Sequence, residues 1–160
     1  MQKGIVPASI KGVMPTSNGC AIFLGPEDKT FIIYVDPGIG STISMIINDV
    51  KRERPMTHEL IGHVFAAFGI ELQRVVINDV SNSTFFARVI LRMENEVTQK
   101  IAEIDARPSD SIALALHHKK PLFVHQSVLD QVEDVTELLD RILREQGKSG
   151  GDLSEEEDED

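Results

Sequence analysis

Alternating apolar and polar residues open the chain and predict three strands. Over residues 5–14, Val6, Ala8 and every second residue after them share one face, which is the period of two that a strand requires. The Asn18-Gly19 pair is a strong hairpin signal and leads into a second apolar run at 20–24. A third run at 30–35 is rich in β-branched and aromatic residues, which favour strands.

Helical spacing follows at two places. Over residues 41–50, isoleucines recur at i, i+3 and i+4, and this predicts a helix. A second helix begins with Thr57 as its N-cap and ends at Gly69. Its apolar residues fall on a single stripe, formed by Ile61, Val64, Phe65 and Phe68.

The same order of elements then recurs. A hairpin over 72–80 and 84–93 and a strand over 99–106 precede a helix capped by Ser109, and a last short strand is predicted at 121–125. Along the second hairpin arm, apolar residues occupy one face and Arg88 and Arg92 the other. Three strands and a helix thus occur twice, offset by about 69 positions. The pattern predicts an α+β fold of duplicated β3-α units, with helices layered between antiparallel sheets, plus a C-terminal helix.

The chain divides into a folded body and a charged end. Residues 1–128 predict one domain, because 160 residues with 41% apolar content support a single sizeable core. Residues 129–147 predict an amphipathic helix, with Asp134 and Glu137 at capping-box spacing. That helix either folds back on its own domain or docks on a second subunit. Residues 148–160 predict a disordered acidic tail.

Charge and composition bear on compartment and partners. The net charge is −10, with 26 acids; removing the seven in the last nine residues leaves 19 acids against 16 bases, a body charge of −3. Bulk charge therefore does not indicate a polyanion partner, although a local basic patch is compatible with it. For the run from His117 to Lys120 we favour a solvated helix end over such a patch. No stretch is apolar enough to cross a membrane, and Cys20 has no disulfide partner, so we expect a cytoplasmic protein.

Several enzyme classes are excluded by spacing. His58 and His63 are five residues apart, whereas the zinc-protease helix needs two histidines four apart on one face. The sequence also contains no Walker loop, dinucleotide fingerprint or nucleophile elbow.

Two segments resemble each other and carry the candidate chemistry. Each places Arg-Pro just before a hydroxyl residue: Arg54-Pro55-Met56-Thr57 and Arg107-Pro108-Ser109. Because proline keeps the preceding residue extended, each arginine is expected at the mouth of a helix, where the N-terminus attracts anions. Either the arginines bind phosphate there, or they pair with carboxylates such as Asp105 or Asp110 while the hydroxyls only cap. The two aspartates and His58 are also candidate metal ligands or general bases.

Three motifs in register resemble the bifunctional nuclease family. They are Arg54-Pro55-x-Thr57-His58, then Thr84-Phe85-Phe86-Ala87, then Ile104-Asp105-Ala106-Arg107-Pro108-Ser109-Asp110-Ser111-Ile112-Ala113-Leu114-Ala115. The likeness spans roughly residues 3 to 126. The family takes its name from members that degrade DNA and RNA, and the resemblance implies a duplicated β3-α fold and a homo-oligomer. It implies importance for seven positions: Arg54, Thr57, His58, Asp105, Arg107, Ser109 and Asp110.

Residue chemistry assigns hypothetical roles to these positions. Asp105 and Asp110 would bind Mg²⁺ or Mn²⁺ and act in catalysis, with His58 as general acid or base. The substrate phosphates would be bound by the remaining four: Arg54, Thr57, Arg107 and Ser109. The prediction is a nuclease that hydrolyses phosphodiester bonds in DNA and RNA with low sequence specificity. The alternative is a non-enzymatic, oligomeric module that binds an anion or a partner.

The chain departs from the family pattern after its third strand. The family usually has an acid that opens the first helix, and Ser41 lies near the expected position. Asp36, which precedes the turn, is a possible substitute. The departure favours the non-enzymatic alternative and leaves the predicted fold unchanged.

Overall fold

A computed structural model describes the backbone of residues 4–157 and the side chains of residues 4–147. The strands are β1 Ile5–Pro15, β2 Cys20–Gly25, β3 Phe31–Val35, β4 Ile70–Ser81, β5 Thr84–Glu94, β6 Gln99–Ala106 and β7 Leu122–His125. The helices are α1 Pro37–Ile47, α2 Thr57–Ala67, α3 Pro108–His118, α4 Gln126–Leu129 and α5 Thr136–Glu157. The described backbone of α5 continues into the acidic tail predicted at 148–160, whose side chains lie outside the described residues, and the disorder of this tail stays a prediction. In the described part, no helix has the length and apolar character needed to cross a bilayer.

The seven strands form one sheet in the order β3-β2-β1-β7-β4-β5-β6. Strands β1–β3 and β4–β6 are two antiparallel meanders, each followed by a helix. The short strand β7 joins them, antiparallel to β1 and parallel to β4. The fold is therefore mixed α/β with one connected sheet, where two sheets with helices between them were predicted. The sequence identified β7 but could not show that it pairs on both sides. Duplication of the β3-α unit stays a prediction.

One side of the sheet, called the inner face here, carries the core. Val75, Ile77, Ala87 and Val89 project from β4 and β5 into one cluster with Ile112 of α3. The α1 residue Ile43 belongs to the same cluster and, like Ile112, is 0% exposed. Burial of an isoleucine side chain stabilises a fold by about 1.5–3 kcal/mol. The core thus fixes α1 and α3 on the inner face.

The other side of β4, β5 and β6 is called the outer face. Because side chains alternate along a strand, it carries Arg88 and Arg92 of β5, as predicted. Arg74 of β4 is paired with Ile90 and lies on the same face. Asp105 of β6 is paired directly with Arg88 and so also projects from the outer face.

The C-terminal helix folds back on its own chain, which was one of the two predicted arrangements. Leu139 is 4% exposed and packs with Ala21 and Phe23 of β2. Before the helix, Asp134 Oδ1 accepts hydrogen bonds from the backbone N–H groups of Thr30 and Thr136, at 3.1 and 3.0 Å. The Thr136 hydroxyl also donates a hydrogen bond to this oxygen. That bond, followed by the two backbone bonds, lowers the pKa of Asp134.

Three predicted helix starts need correction. Helix α1 begins at Pro37 and not at residue 41, because proline suits the first helical position. The N-cap of α2 is Met56 and that of α3 is Arg107, so the hydroxyls of Thr57 and Ser109 are not the caps. At α2 the Glu59 carboxylate accepts the Met56 N–H at 3.1 Å. At α3 Pro108 is the first helical residue, so Ser109 is the second and lies two positions from the N-cap.

Candidate functional site

The N-terminus of α3 holds an ion pair. Arg107 Nε donates to Asp110 Oδ2 at 2.9 Å, and its terminal NH2 group donates to Oδ1 at 3.3 Å. The hydrogen bond and charge of Asp110 raise the pKa of Arg107, and the charge of Asp36 adds to the effect. Both side chains are more than half exposed. This is the pairing expected from the structural interpretation of Arg107, and its exposure leaves the guanidinium accessible to a competing anion.

An open groove of about 1200 Å³ borders this pair. Arg107, Pro108 and Ser109 form one part of its wall, and Asp36 from the end of β3 lies in the same wall. Ser109 is only 6% exposed although it borders the groove. The other lining residues come from β3, the β4–β5 turn and the segment around 131–141. Ser41 does not line the groove, whereas Asp36, the possible substitute for the family's acid, does.

The second Arg-Pro segment lies at a different place. Arg54 and Thr57 are exposed at the start of α2, and Arg54 makes no ion pair within the described residues. The neighbouring His58 ring lies edge-on to the His117 ring, with centroids 5.0 Å apart. His117 is in the last turn of α3. The α2 segment therefore lies near the end of α3 opposite to Arg107.

The seven predicted site residues occupy three places. Ten residues separate Arg107 from His117, about 15 Å along a helix axis. Arg107, Ser109 and Asp110 are at one end of α3, and the second group is at the other end: Arg54, Thr57 and His58. Asp105 is on the outer face, away from the side that carries α3 and Asp110. Within one chain, the predicted catalytic residues do not converge on one point.

Comparison with known proteins establishes the family. The family model described as the bifunctional nuclease domain matches residues 22–137. The chain belongs to the bifunctional nuclease domain family. An uncharacterized protein of Mycobacterium tuberculosis, present in two strains, is 34% identical over 104 residues, which are 65% of this chain and 59% of the relative. A rice protein (Oryza sativa subsp. japonica) named Bifunctional nuclease 2 is 30% identical over 111 residues, 68% of this chain and 34% of the relative. The matches thus span less than two thirds of the length of these curated relatives.

Whether the bifunctional nuclease domain can hold a metal ion depends on whether its carboxylates lie close together. Among the described residues, no group of three or more His, Cys, Asp or Glu side chains is arranged to hold a metal ion. Asp105 and Asp110, the predicted ligands, project on different sides of the sheet. The pair does not fit one cation site within a single chain, and we derive no step through a metal. A requirement for Mg²⁺ or Mn²⁺ stays a prediction.

Histidines at the α2–α3 contact form a cluster that the sequence did not indicate. The His117 ring is 5.0 Å from that of His58 and 5.1 Å from that of His118. Burial, followed by repulsion from His117, lowers the pKa of both His58 and His118. His118 Nε2 is buried and has no hydrogen-bond partner in the described part of the chain. The lowered pKa favours the neutral form of His58 and of His118, and the neutral imidazole is the form that a general base needs.

Proposed function

We propose that this protein is a nuclease that hydrolyses phosphodiester bonds in DNA and RNA with low sequence specificity. The observation that carries the proposal is membership of the bifunctional nuclease domain family over residues 22–137. The name of the rice relative, Bifunctional nuclease 2, supports the same activity. We further propose that the enzyme acts in the cytoplasm as a homo-oligomer. Oligomers matter here because a second copy can bring together residues that one chain keeps apart.

In the proposed reaction, the α3 N-terminus binds a phosphate. The first-turn amides of α3 and the Arg107 guanidinium offer hydrogen bonds and positive charge to the phosphate oxygens. Arg107 would exchange Asp110 for the phosphate, which releases the Asp110 carboxylate beside the reacting group. Positive charge held there stabilises the extra negative charge of the transition state. At the other end of α3, Arg54 and Thr57 are proposed to bind the substrate, and His58 is proposed to transfer a proton.

The activity is tested with purified full-length protein on labelled single-stranded DNA and RNA, in Mg²⁺, Mn²⁺ or EDTA. We expect cleavage of both polymers and a loss of about 10²–10³-fold in kcat for Arg107→Ala, typical of removing one charge-stabilising group. Arg144→Ala is the matched control, because Arg144 is exposed on α5 and does not line the groove. Equal rates for Arg107→Ala, Asp105→Ala and the parent would overturn the assignment. EDTA decides whether a metal is needed.

A non-enzymatic module that binds an anion or a partner is the second candidate. Two observations favour it: Arg107 is already paired with Asp110, and the predicted catalytic residues occupy three separate places. This function predicts a rise in midpoint temperature with mononucleotides or phosphate and no cleavage under any condition. Stabilisation by Mg²⁺ or Mn²⁺ together with cleavage would instead support the enzyme.

A further inference from the structure

Two buried apolar residues on the outer face of the sheet are each paired with an arginine, Val76 with Arg88 and Ile90 with Arg74. Val76 and Ile90 project from this face and are only 5% and 3% exposed, yet neither belongs to the core on the inner face. No helix residue is needed to cover them if the alkyl stems of neighbouring arginines do so. The arginines are Arg74, Arg88 and Arg92. An arginine whose alkyl stem lies along a buried apolar residue is held in place and presents its charge outward.

The register sets the spacing of these arginines. Arg74 is paired with Ile90, so it lies diagonally between Arg88 and Arg92, which are two positions away on either side. Such diagonal neighbours are about 7–8 Å apart, within reach of long side chains. Arg92 is paired with Glu94. Arg74 and Arg88 form no ion pair within the described residues, so their charges are available to a ligand.

Unpaired polar atoms are concentrated on the same face. Four buried side-chain nitrogen or oxygen atoms have no hydrogen-bond partner in the described part of the chain. Arg74 Nε and Arg92 Nε are on the outer face, and the third atom, Asn78 Oδ1, belongs to the β4 bulge between Ile77 and Asp79. Buried polar groups are nearly always hydrogen-bonded, so these exceptions mark a place where water or a bound ligand supplies the missing partners. Two of the three are donors, which suit an anion.

An aromatic ring lies next to the arginines. Phe86 is 39% exposed and precedes Arg88 by two positions on β5, which places both on the outer face. Arginines together with an exposed aromatic ring on a sheet are the combination that binds single-stranded nucleic acid: cations hold phosphates, and a base stacks on the ring. Bases in a duplex are already stacked, so this arrangement favours unpaired strands.

Acidic residues also reach this face and set a limit on its charge. Glu71 binds Lys120, and Glu94 binds Arg92. Glu103 of β6 is paired with Ile90, and Asp79 of β4 is paired with Phe86. Asp105 lies directly opposite Arg88 without forming an ion pair with it among the described residues. A phosphate on Arg88 would therefore lie beside Asp105, one of the family positions that the groove leaves unexplained.

We propose that the outer face, made of Arg74, Asn78, Phe86, Arg88, Arg92 and Asp105, is a second surface that binds the substrate strand, separate from the phosphate site at the α3 N-terminus. The ligand is single-stranded DNA or RNA, with phosphates on Arg74 and Arg88 and a base on Phe86. The inference rests on the proposed nuclease function for the identity of the strand. It adds five residues with no previous role and gives Asp105 a place beside the bound backbone. The five are Arg74, Asn78, Phe86, Arg88 and Arg92.

Binding is measured by fluorescence anisotropy of labelled oligo-dT and oligo-U on the full chain in EDTA, separately from cleavage. We expect Arg88→Gln and Phe86→Ala each to weaken binding about tenfold. Loss of Arg74 and Arg88 together should lower the slope of log K against log salt by about 1–1.5. Asp105→Asn should tighten binding about threefold, because a negative charge beside the phosphate is removed. Arg144→Gln is the control and should bind like the parent.

The outcomes separate this inference from the nuclease proposal. If the parent cleaves and the variants Arg88→Gln and Phe86→Ala bind with the affinity of the parent, the nuclease proposal stands and the outer-face site is wrong. Strand binding that these variants weaken, without cleavage of any substrate, keeps the site and overturns the nuclease. Absence of binding by the parent overturns the site. If the variants change the mass measured by light scattering and not the affinity, the face joins copies of the chain and the inference is wrong. Arg88 and Phe86 are both exposed, so the two variants are expected to fold.

Discussion

Helices α2 and α3 start with the same short pattern and end in different environments. Both are 11 residues long; α3 begins at the proline of its Arg-Pro pair, and α2 begins two residues after the proline of its own. Seven residues of α3 are buried, and none of α2 is. On α2 the side chains of Leu60, Val64 and Phe68, four residues apart, are 45–71% exposed. The common pattern thus specifies a helix start and does not specify what the helix packs against.

The position in the fold explains the difference. Helix α3 follows β6 directly and enters the core beside α1, so its N-terminus is held rigidly against the groove. Helix α2 contributes only the partly buried Ile61 and Phe65 to that core, and it rests on α3 and β4. The comparison teaches that Arg107 is held by a buried helix, whereas Arg54 belongs to a helix laid on the surface.

The largest expected effect is on stability in the core. Ile112→Ala on α3 should lower the free energy of unfolding by about 2–5 kcal/mol, because a fully buried side chain is lost and a cavity remains. Val64→Ala on α2 should change it by less than about 0.5 kcal/mol, because Val64 is 45% exposed. Urea unfolding followed by circular dichroism measures both. Similar losses at the two positions would show that α2 is buried in solution and would remove the contrast.

The next effect extends the comparison to α1, which shares the core with α3. A Cβ added at Gly40 would lie 2.5 Å from Cys20 Cβ and 2.6 Å from its Sγ. Gly40→Ala should therefore cost about 1–3 kcal/mol through overpacking. Gly38→Ala, in the same helix with nothing within 4 Å, is the control and should be neutral or slightly stabilising. A neutral Gly40→Ala would mean that α1 can move away from β2.

Periodicity predicted most of the fold because it reports local structure. The strand at 99–106 matches β6, and the hairpin arms agree with β4 and β5 within a few residues. The start of helix α1 was predicted too late because Pro37-Gly38 resembles a turn. In the structure Gly40 packs closely on Cys20, and the helix includes Pro37 and Gly38. The single sheet could not be predicted because the pairing of β7 with β1 and β4 is long-range.

The candidate site was less predictable for the same reason. Motif spacing identified Arg107 and Asp110, and their ion pair is local, at i and i+3. The sequence could not show that His58 meets His117, since these residues are joined only by the packing of α2 on α3. It also could not show that Asp105 projects away from Asp110, because this depends on how β6 is registered on β5.

The contact between α2 and α3 should weaken in acid. The folded-state pKa of His58 and of His118 is lowered, so the folded protein binds fewer protons than the unfolded chain just below pH 6.5. Stability from this contact is therefore complete above about pH 6.5 and is lost as pH falls toward the lowered values. The facing charged groups, Glu59 favouring and Lys120 opposing protonation, are included in these shifts.

The measurement is the midpoint temperature between pH 7.5 and 5, compared with that of His118→Gln. We expect the parent to lose a few degrees more than the variant over this range, because the variant has one fewer proton to take up. If unfolding is two-state, the α2–α3 contact and the inner core around Val89 unfold at the same midpoint temperature. A steeper pH dependence in His118→Gln than in the parent would contradict the assigned sign.

The smallest expected effect concerns the two arginines themselves. Asp110→Asn should lower the free energy of unfolding by no more than about 1 kcal/mol, since it removes an exposed ion pair and an acid from the first turn of α3. Arg54→Ala should have no measurable effect on stability, because Arg54 is exposed and has no ion pair in the described chain.

A double-mutant cycle of Arg107→Ala with Asp110→Ala, measured by urea unfolding, gives the coupling energy, expected between about 0.2 and 1 kcal/mol. A coupling well above this range would mean that the pair exists to hold α3 in place and not to be opened by a phosphate. A coupling within it would leave Asp110 readily displaced, as the proposed exchange requires.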